Sequence, residues 1–217
     1  MTTSRPGEFF HGFADVFDTF YDGKRSPLMQ WVDRYFRSDM FERYRLTFER
    51  LEDLTGKTVV DVGCGSGPYV VQAIRQGAKH VLALDAAPRM LELSRQRVER
   101  IDAQENVSYL ASYFPPTSPI GPFNHGIVMG VMDYVEDSFA FLRHLREIVT
   151  DSAVISFPSK HWFRSPIRKI RYGLRKCPVW FYSEADIRTN SSAAGWTNID
   201  IHKIPGAGMD YLVCLKP

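Results

Sequence analysis

The sequence predicts an α/β protein with a seven-stranded, mostly parallel sheet and helices on both faces. From residue 57 onward, short β-branched runs alternate with stretches of helical periodicity. The first of these runs ends in a glycine-rich turn, and the last two are joined by a short connection with no helix between them. Such alternation is typical of parallel strands linked by crossover helices, and the final pair should form an antiparallel hairpin at the sheet edge.

Each predicted strand and helix has its own local signal. The strands are β-branched or aromatic runs that stop at turn residues, and the helices begin at Pro or Ser and several end near Gly. The predicted strands are TVVDVG (58–63), HVLALD (80–85), VSYL (107–110), a run that begins at His125, AVISFP (153–158), TNIDIHKI (197–204) and YLVCLK (211–216). The predicted helices are PYVVQAIRQG (68–77), APRMLELSRQRVERI (87–101), SFAFLRHLREIV (138–149) and SEADIRTNSSAAGW (183–196), the last with Ser183 as its N-cap.

Two segments fall outside this alternation. Residues 8–53 carry aromatic and apolar side chains at helical spacing, with a break near YDGKRSP, so two or three helices are expected. We therefore predict a helical lid over residues 1–55 and an α/β core over residues 56–217. The core contains a basic insertion at 159–181, which has seven Lys and Arg residues and no acidic one.

Composition narrows the class of protein. The chain of 217 residues is 44% hydrophobic and 24% charged, as in ordinary globular proteins, and its net charge of +2 is too small to indicate nucleic-acid binding. Its three cysteines include no close pair, so they indicate neither a disulfide framework nor a zinc site. We see no targeting peptide and no apolar run long enough to span a membrane, and expect a cytoplasmic location.

The glycine-rich turn VVDVGCGSGP points to a particular kind of ligand. Gly63, Gly65 and Gly67 allow the backbone to turn sharply and to approach a ligand closely. The dinucleotide fingerprint G-x-G-x-x-G is not matched, because Pro68 stands where its third glycine should be. Asp61 would repel a pyrophosphate and would suit a ligand that carries positive charge. S-adenosylmethionine, with a sulfonium, an ammonium and only one carboxylate, is such a ligand.

The motifs carry a resemblance to a known family. VVDVGCGSG resembles the first motif of class I S-adenosylmethionine-dependent methyltransferases, which have a Rossmann-like fold, and VLALDAAPRML resembles their second motif. NVSYLASYFP is similar to the third-strand segment that packs against adenine, and HGIVMGVMDYVED to the fourth strand and its exit. The resemblance covers residues 57–217 and implies S-adenosylmethionine as cofactor, with Asp85 accepting hydrogen bonds from both ribose hydroxyls. The implied cofactor-binding residues are Asp61, Gly63, Cys64, Gly65, Asp85, Ala86, Met90, Ser112, Tyr113 and Met129.

The chemistry implied is an in-line displacement on an activated donor. The protein mainly has to align the acceptor, and the sequence leaves open whether a general base also removes the acceptor's proton. We predict no metal, since no His and Asp cluster has ligand spacing. The catalytic candidates are Tyr21 in the lid, Tyr134 at the exit of the fourth strand and His161 after the fifth strand; His11 and Asp133 are further acid–base candidates.

A narrower resemblance bears on the acceptor. RYFRSDMFERYRLTFE and ISFPSKHWF…FYSEADI are similar to segments of magnesium-protoporphyrin IX O-methyltransferases, whose acceptor carries a propionate on a planar ring. We expect methyl transfer to oxygen, with nitrogen as second choice, of a small molecule or biosynthetic intermediate. The basic insertion then either attracts an anionic or membrane-associated acceptor or is a solvated helix face. Two alternative functions are a nicotinamide-dependent oxidoreductase and a methyltransferase-like binding protein without catalysis.

Overall fold

The seven strands form one sheet in the order β3-β2-β1-β4-β5-β7-β6. The computed structural model describes residues 41–51, 53–160, 178–204 and 210–217. The first five strands are parallel, and β7 runs antiparallel to both of its neighbours, β5 and β6. This confirms the predicted sheet and its C-terminal antiparallel pair. The strands are β1 (Thr58–Val62), β2 (His80–Asp85), β3 (Val107–Ala111), β4 (Phe123–Val128), β5 (Val149–Phe157), β6 (Asn198–Lys203) and β7 (Tyr211–Lys216).

Helices begin where capping residues stand in the sequence. A proline occupies the first turn of both α2 and α3, where its missing N–H has no helical partner to lose. The Asp137 side chain accepts the N–H of Ala140 at the start of α4. Ser183 and Asp186 form a reciprocal capping box at the start of α5, which confirms the predicted N-cap. The helices are α1 (residues 41–50), α2 (Pro68–Arg75), α3 (Pro88–Glu99), α4 (Ser138–Ile148) and α5 (Glu184–Ala193).

Two strands are longer than the sequence predicted. β4 begins at Phe123 rather than His125, and β5 begins at Val149 rather than Ala153. Phe123 pairs with Val149 in the parallel ladder, across a register shift before His125. The pairing between strands therefore extends both of them beyond their β-branched runs, and α4 ends at Ile148.

Apolar side chains cover both faces of the sheet. On one face Val59 and Ile127 are fully buried, and Leu46 of α1 joins this core. Tyr44 and Phe48 of α1 pack their rings against Tyr69 of α2. Residues 41–51 thus lie on this face of the sheet, and the predicted boundary between lid and core at residue 55 stays a prediction.

The opposite face is covered by α4 and α5. Leu142 and Leu145, one helical turn apart on α4, are fully buried together with Ile155 of β5. Trp196 is 2% exposed and donates its ring N–H to the carbonyl of Leu142 at 3.1 Å. None of the helices among the described residues is both long and apolar enough to cross a membrane.

The strand order fixes where a ligand can lie. From β1 the chain winds one way to β2 and β3, and the other way to β4 and β5. Ligands of such sheets bind beyond the carboxyl ends of the strands, at the point where the winding reverses. That point lies here between β1 and β4, directly after Val62 and Val128.

Candidate active site

The glycine turn after β1 is held against the end of β2. The N–H groups of Gly63 and Cys64 both donate to the carbonyl of Leu84, at 2.7 and 3.0 Å. Gly63, Gly65 and Gly67 all have positive φ, at 72°, 54° and 81°. The three alternate glycines are therefore required by the backbone itself, because other residues adopt this conformation only at a cost.

The three glycines differ in what surrounds them. A Cβ on Gly67 would lie 2.3 Å from Oγ of Ser94, and one on Gly63 would lie 2.3 Å from a methyl of Val131. At Gly65, by contrast, no described atom lies within 4 Å of a Cβ position. Gly63 and Gly67 thus allow close packing of the segment after β4 and of α3, whereas the Cβ position of Gly65 is clear of described atoms.

Asp85 binds the glycine turn from the end of β2. Its Oδ2 accepts the N–H of Gly65 at 2.9 Å, and its Oδ1 accepts the N–H of Ala87 at 2.8 Å. Burial raises the pKa of Asp85, and these two N–H groups oppose the rise. Each carboxylate oxygen has a second lone pair, so both can still accept a hydroxyl. The position suits a diol that lies beside Gly65.

Asp61 is a buried carboxyl on the same edge. It is 1% exposed, and its Oδ2 has no hydrogen-bond partner in the described part of the chain. Burial, and secondarily the nearby Asp85, raise the pKa of Asp61 well above its ordinary value. An unpaired buried carboxyl is unfavourable unless a ligand or a proton satisfies it. The group therefore fits a cationic part of a ligand.

Cys64 lies inside the turn but is not activated. Its thiol is buried, and burial, Asp61 and Asp85 together raise the pKa of Cys64 well above its ordinary value. A thiol that stays protonated is a poor nucleophile. The buried thiol is therefore not suited to act as a nucleophile, and the place of Cys64 in the cofactor site stays a prediction.

The segment that follows β4 is the second part of the candidate site. Met129 is buried, and the hydroxyl of Thr47 on α1 lies 3.7 Å from its sulfur. Gly130 has φ 74°, and its N–H donates to Oγ of Ser156 at 2.8 Å. Among the residues described, none has an atom within 4 Å of a Cβ built on Gly130. Gly65 and Gly130, which follow adjacent strands, thus both border space that no described side chain fills.

Sequence reasoning did not find Arg43, which reaches the same edge from α1. Its Nε is shielded from solvent and has no hydrogen-bond partner within the described ranges. Burial opposes the charge, but Tyr69, Asp133 and Asp210 outweigh it and raise the pKa of Arg43. Arg45, two residues on, is exposed and pairs with acids of its own helix. In the sequence the two arginines are indistinguishable, since both lie in the run MFERYRLTFE.

The C-terminal end of the basic insertion, from residue 178 onward, returns to the exit of β4. The N–H of Trp180 donates to the carbonyl of Asp133 at 2.9 Å, and the hydroxyl of Tyr182 donates to the carbonyl of Val135. The N–H of Lys160 donates to the carbonyl of Tyr182 at 3.0 Å. The residues on either side of 161–177 are therefore bound to each other at the carboxyl edge.

The remaining predicted residues fall in several places. Ser112 follows β3, and its N–H donates to the backbone carbonyl of Asp85 at 3.1 Å. Tyr113 is 43% exposed, and Met90 is buried with Ala87 in a small cluster below the second strand–helix turn. Ala86 is half-buried in that same turn, and Asp133 and Tyr134 are half-buried after β4. Tyr21, His161 and His11 lie outside the described residues.

Metal ligands were not predicted for this edge. The described residues contain no group of three His, Cys, Asp or Glu side chains that could hold a metal ion. The absence of a metal from the reaction stays a prediction.

The chain belongs to the methyltransferase-domain family, whose match covers residues 36–201. The predicted class, an S-adenosylmethionine-dependent methyltransferase, is thereby confirmed, and the cofactor of the domain is S-adenosylmethionine. The match does not support the alternative of a nicotinamide-dependent oxidoreductase.

Curated relatives share parts of the chain. A tRNA U34 carboxymethyltransferase of Shewanella pealeana is 28% identical over 163 residues, which are 71% of this chain and 47% of that protein. A ribosomal protein L11 methyltransferase of Vibrio campbellii is 37% identical over 89 residues, 40% of this chain and 29% of that protein. The chain thus spans less than half the length of these relatives.

A solved structure agrees with the fold over the whole chain. The magnesium protoporphyrin IX methyltransferase of Synechocystis PCC 6803, with bound S-adenosylmethionine, superposes with a TM-score of 0.76 at 18% identity. The match covers 100% of this chain and 99% of that one. At this identity the likeness shows a shared fold and leaves the acceptor open.

Proposed function

We propose that this protein transfers a methyl group from S-adenosylmethionine to an oxygen of a small acidic molecule. The cofactor half of the proposal rests on one observation. The carboxylate of Asp85 accepts the N–H groups of Gly65 and Ala87, at 2.9 and 2.8 Å, and no described atom lies within 4 Å of a Cβ position on Gly65. The bound cofactor supplies an activated methyl group. The residues of the chain have to bind it, align the acceptor and take up a proton.

We assign each cofactor-binding residue to the group of S-adenosylmethionine that its charge or size suits. Asp85 accepts hydrogen bonds from the two ribose hydroxyls, because each of its carboxylate oxygens has a second lone pair. Asp61 pairs with the ammonium group, and Arg43 pairs with the carboxylate attached to the same carbon. Gly65 permits the close approach of the ligand to the backbone, and Ser112, Tyr113 and Met129 border the base and the sulfonium; we assign the buried Met90 and Cys64 to the walls around them.

The acceptor side is assigned to the exits of β4 and β5. Gly130 leaves room there, and Asp133 and Tyr134 follow it on the chain. Two described residues that flank the basic segment 161–177 form hydrogen bonds at this edge, Lys160 with Tyr182 and Trp180 with Asp133. That segment carries Arg164, Arg168, Lys169, Arg171, Arg175 and Lys176 and no acid, which favours an anionic acceptor. We propose Tyr134, with His161 and Tyr21, as the groups that take the proton of the acceptor.

The cofactor half is tested with Asp85→Ala. Loss of a charged partner for two buried hydroxyls should weaken binding of S-adenosylhomocysteine by about 1–3 kcal/mol. Glu105→Ala removes the same charge from the opposite edge of the sheet, next to β3, and should bind normally. Calorimetric titration measures both. Equal affinity of the two variants would remove Asp85 from the site.

The acceptor half is tested with tritiated S-adenosylmethionine and three acceptors: a magnesium porphyrin dicarboxylate, a neutral phenol and unmodified tRNA. We expect label on the carboxylated porphyrin. Arg168→Gln together with Arg171→Gln should raise its KM and leave cofactor affinity unchanged, whereas Arg97→Gln with Arg100→Gln, on α3 and just after it, should change neither. Label on tRNA alone would replace this acceptor class, and binding of cofactor without transfer to any acceptor of the panel would favour a binding protein.

A further inference from the structure

We propose that Asp61 makes the site select nucleosides that carry a protonated amine, by releasing its own proton when the amine binds. The inference rests on the proposed function and concerns a step that precedes methyl transfer. A ligand with the amine should therefore release a proton when it binds, and a ligand without the amine should not.

The geometry around Asp61 explains why a proton is bound first. Its strand neighbours in the ladder, Ala83 on β2 and Ile127 on β4, are apolar and fully buried. Its Oδ2 meets no hydrogen-bond donor from the part of the chain that the structure describes. A charge on a carboxylate that is 1% exposed, with one oxygen unpaired in this part of the chain, is poorly stabilised, so the neutral acid is favoured in the free protein. Burial and the proximity of Asp85 raise the pKa of Asp61 in the same direction.

The other titratable groups described at this edge of the sheet do not exchange a proton on binding. Burial raises the pKa of Asp85, but the two backbone N–H groups that it accepts are the same with and without a ligand, and a diol adds no charge to it. Cys64 stays a thiol in both states because its pKa is raised. Arg43, from α1, interacts with Tyr69, Asp133 and Asp210, and a guanidinium does not lose its proton in proteins.

The step balances as an exchange. The free protein holds Asp61 as COOH, and the ligand arrives with R–NH₃⁺. The O–H bond of the acid breaks, its proton leaves to bulk water, and the carboxylate and the ammonium form an ion pair. A nucleoside without the amine offers nothing that offsets the cost of the buried charge, so Asp61 keeps its proton.

Two ligands test this directly. S-adenosylhomocysteine carries the amino acid group, and 5′-methylthioadenosine has the same nucleoside and thioether without it. Calorimetry at pH 6 in two buffers with different heats of ionisation counts the protons. We expect release of up to about one proton with S-adenosylhomocysteine and none with methylthioadenosine. The Kd of S-adenosylhomocysteine should tighten by up to about tenfold per pH unit as the pH rises toward the raised pKa of Asp61 in the free protein, and should level off above it. If the proton came from Asp85, both ligands would release it.

Two variants separate the roles of the acids. Asp61→Asn should abolish proton release and the pH dependence of S-adenosylhomocysteine binding, and leave methylthioadenosine affinity unchanged. Asp85→Asn should weaken both ligands and still release a proton with S-adenosylhomocysteine, at lower pH, because Asp61 ionises more easily beside a neutral group.

The outcomes are distinct. Equal proton counts for the two ligands, or undiminished release by Asp61→Asn, would overturn the inference and leave the proposed function standing. If Asp61→Asn does not fold, the comparison of the two ligands on the unchanged protein decides the matter by itself. Failure of S-adenosylhomocysteine to bind at any pH would overturn the proposed function as well.

Discussion

The two edges of the same sheet differ in how far their polar groups are paired. At the amino edge, Nζ of Lys57 lies 2.9 Å from Oδ2 of Asp151, which also accepts the side-chain N–H of Asn124 at 3.2 Å. The side-chain carbonyl of Asn124 in turn accepts the backbone N–H of Thr58 at 3.0 Å. These bonds join three neighbouring strands, and each group named has a partner.

The carboxyl edge leaves equivalent groups unsatisfied. Oδ2 of Asp61 and Nε of Arg43 are both buried without a partner in the described ranges, and three alternate residues of the turn hold left-handed backbone. Native proteins pair nearly all buried polar groups, and exceptions cluster at functional sites. The comparison indicates that the amino edge stabilises the fold, and it supports the proposal that ligands bind at the carboxyl edge.

The largest expected effect is at Gly67, where the carboxyl edge also packs tightly. Gly67→Ala should lower the free energy of unfolding by about 2–5 kcal/mol, because a left-handed backbone and a contact of 2.3 Å with Oγ of Ser94 act together. Urea denaturation measures the loss. A loss no larger than that of Gly56→Ala, which has φ 71° and no described atom near its Cβ position, would show that α3 can move away from the turn.

Alanine substitutions at Gly65 and Gly56 compare the two edges more sharply. Both have left-handed backbone and open space among the described residues at the Cβ position, but Gly65 lies at the carboxyl edge and Gly56 just before β1. Alanine at either position should lower the free energy of unfolding by about 1–2 kcal/mol.

Only Gly65→Ala should also weaken S-adenosylhomocysteine, by about tenfold, because its methyl group would occupy the ligand volume. Parallel calorimetric titrations decide this. Equal affinities would place the cofactor away from Gly65.

The smallest effect is expected at the amino edge. Hydrogen bonds from Thr150, and then from Lys57 and Asn124, lower the pKa of Asp151. A lowered pKa means that the stabilisation is present above about pH 4 and is lost as the pH falls through the lower native value. Asp151→Asn should therefore reduce stability at pH 7 by less than about 1 kcal/mol, since the pair is partly exposed.

At pH 3 the difference in melting temperature between Asp151→Asn and the unchanged protein should shrink, and cofactor affinity should be normal at pH 7. A variant that loses cofactor affinity would contradict the separation of the two edges.

The order of the C-terminal strands was only partly predicted from the local sequence pattern. The sequence predicted an antiparallel pair but not that β7 would lie between β5 and β6. The signal exists: Leu212, Val213 and Leu215 are fully buried along β7, whereas Asn198 and Asp200 of β6 are exposed. A continuous apolar run suits an inner strand, and an alternating one suits an edge.

The sequence by itself determined the glycine turn, the acid at the end of β2 and the alternation that builds the sheet, because each depends on residues that are close neighbours in the chain. Only the tertiary structure decided that Arg43 and not Arg45 reaches the site, that Trp180 joins Asp133, and that Asp61 keeps an oxygen unpaired in the described structure. Those outcomes depend on contacts between segments far apart in sequence, and packing of the whole chain selects them.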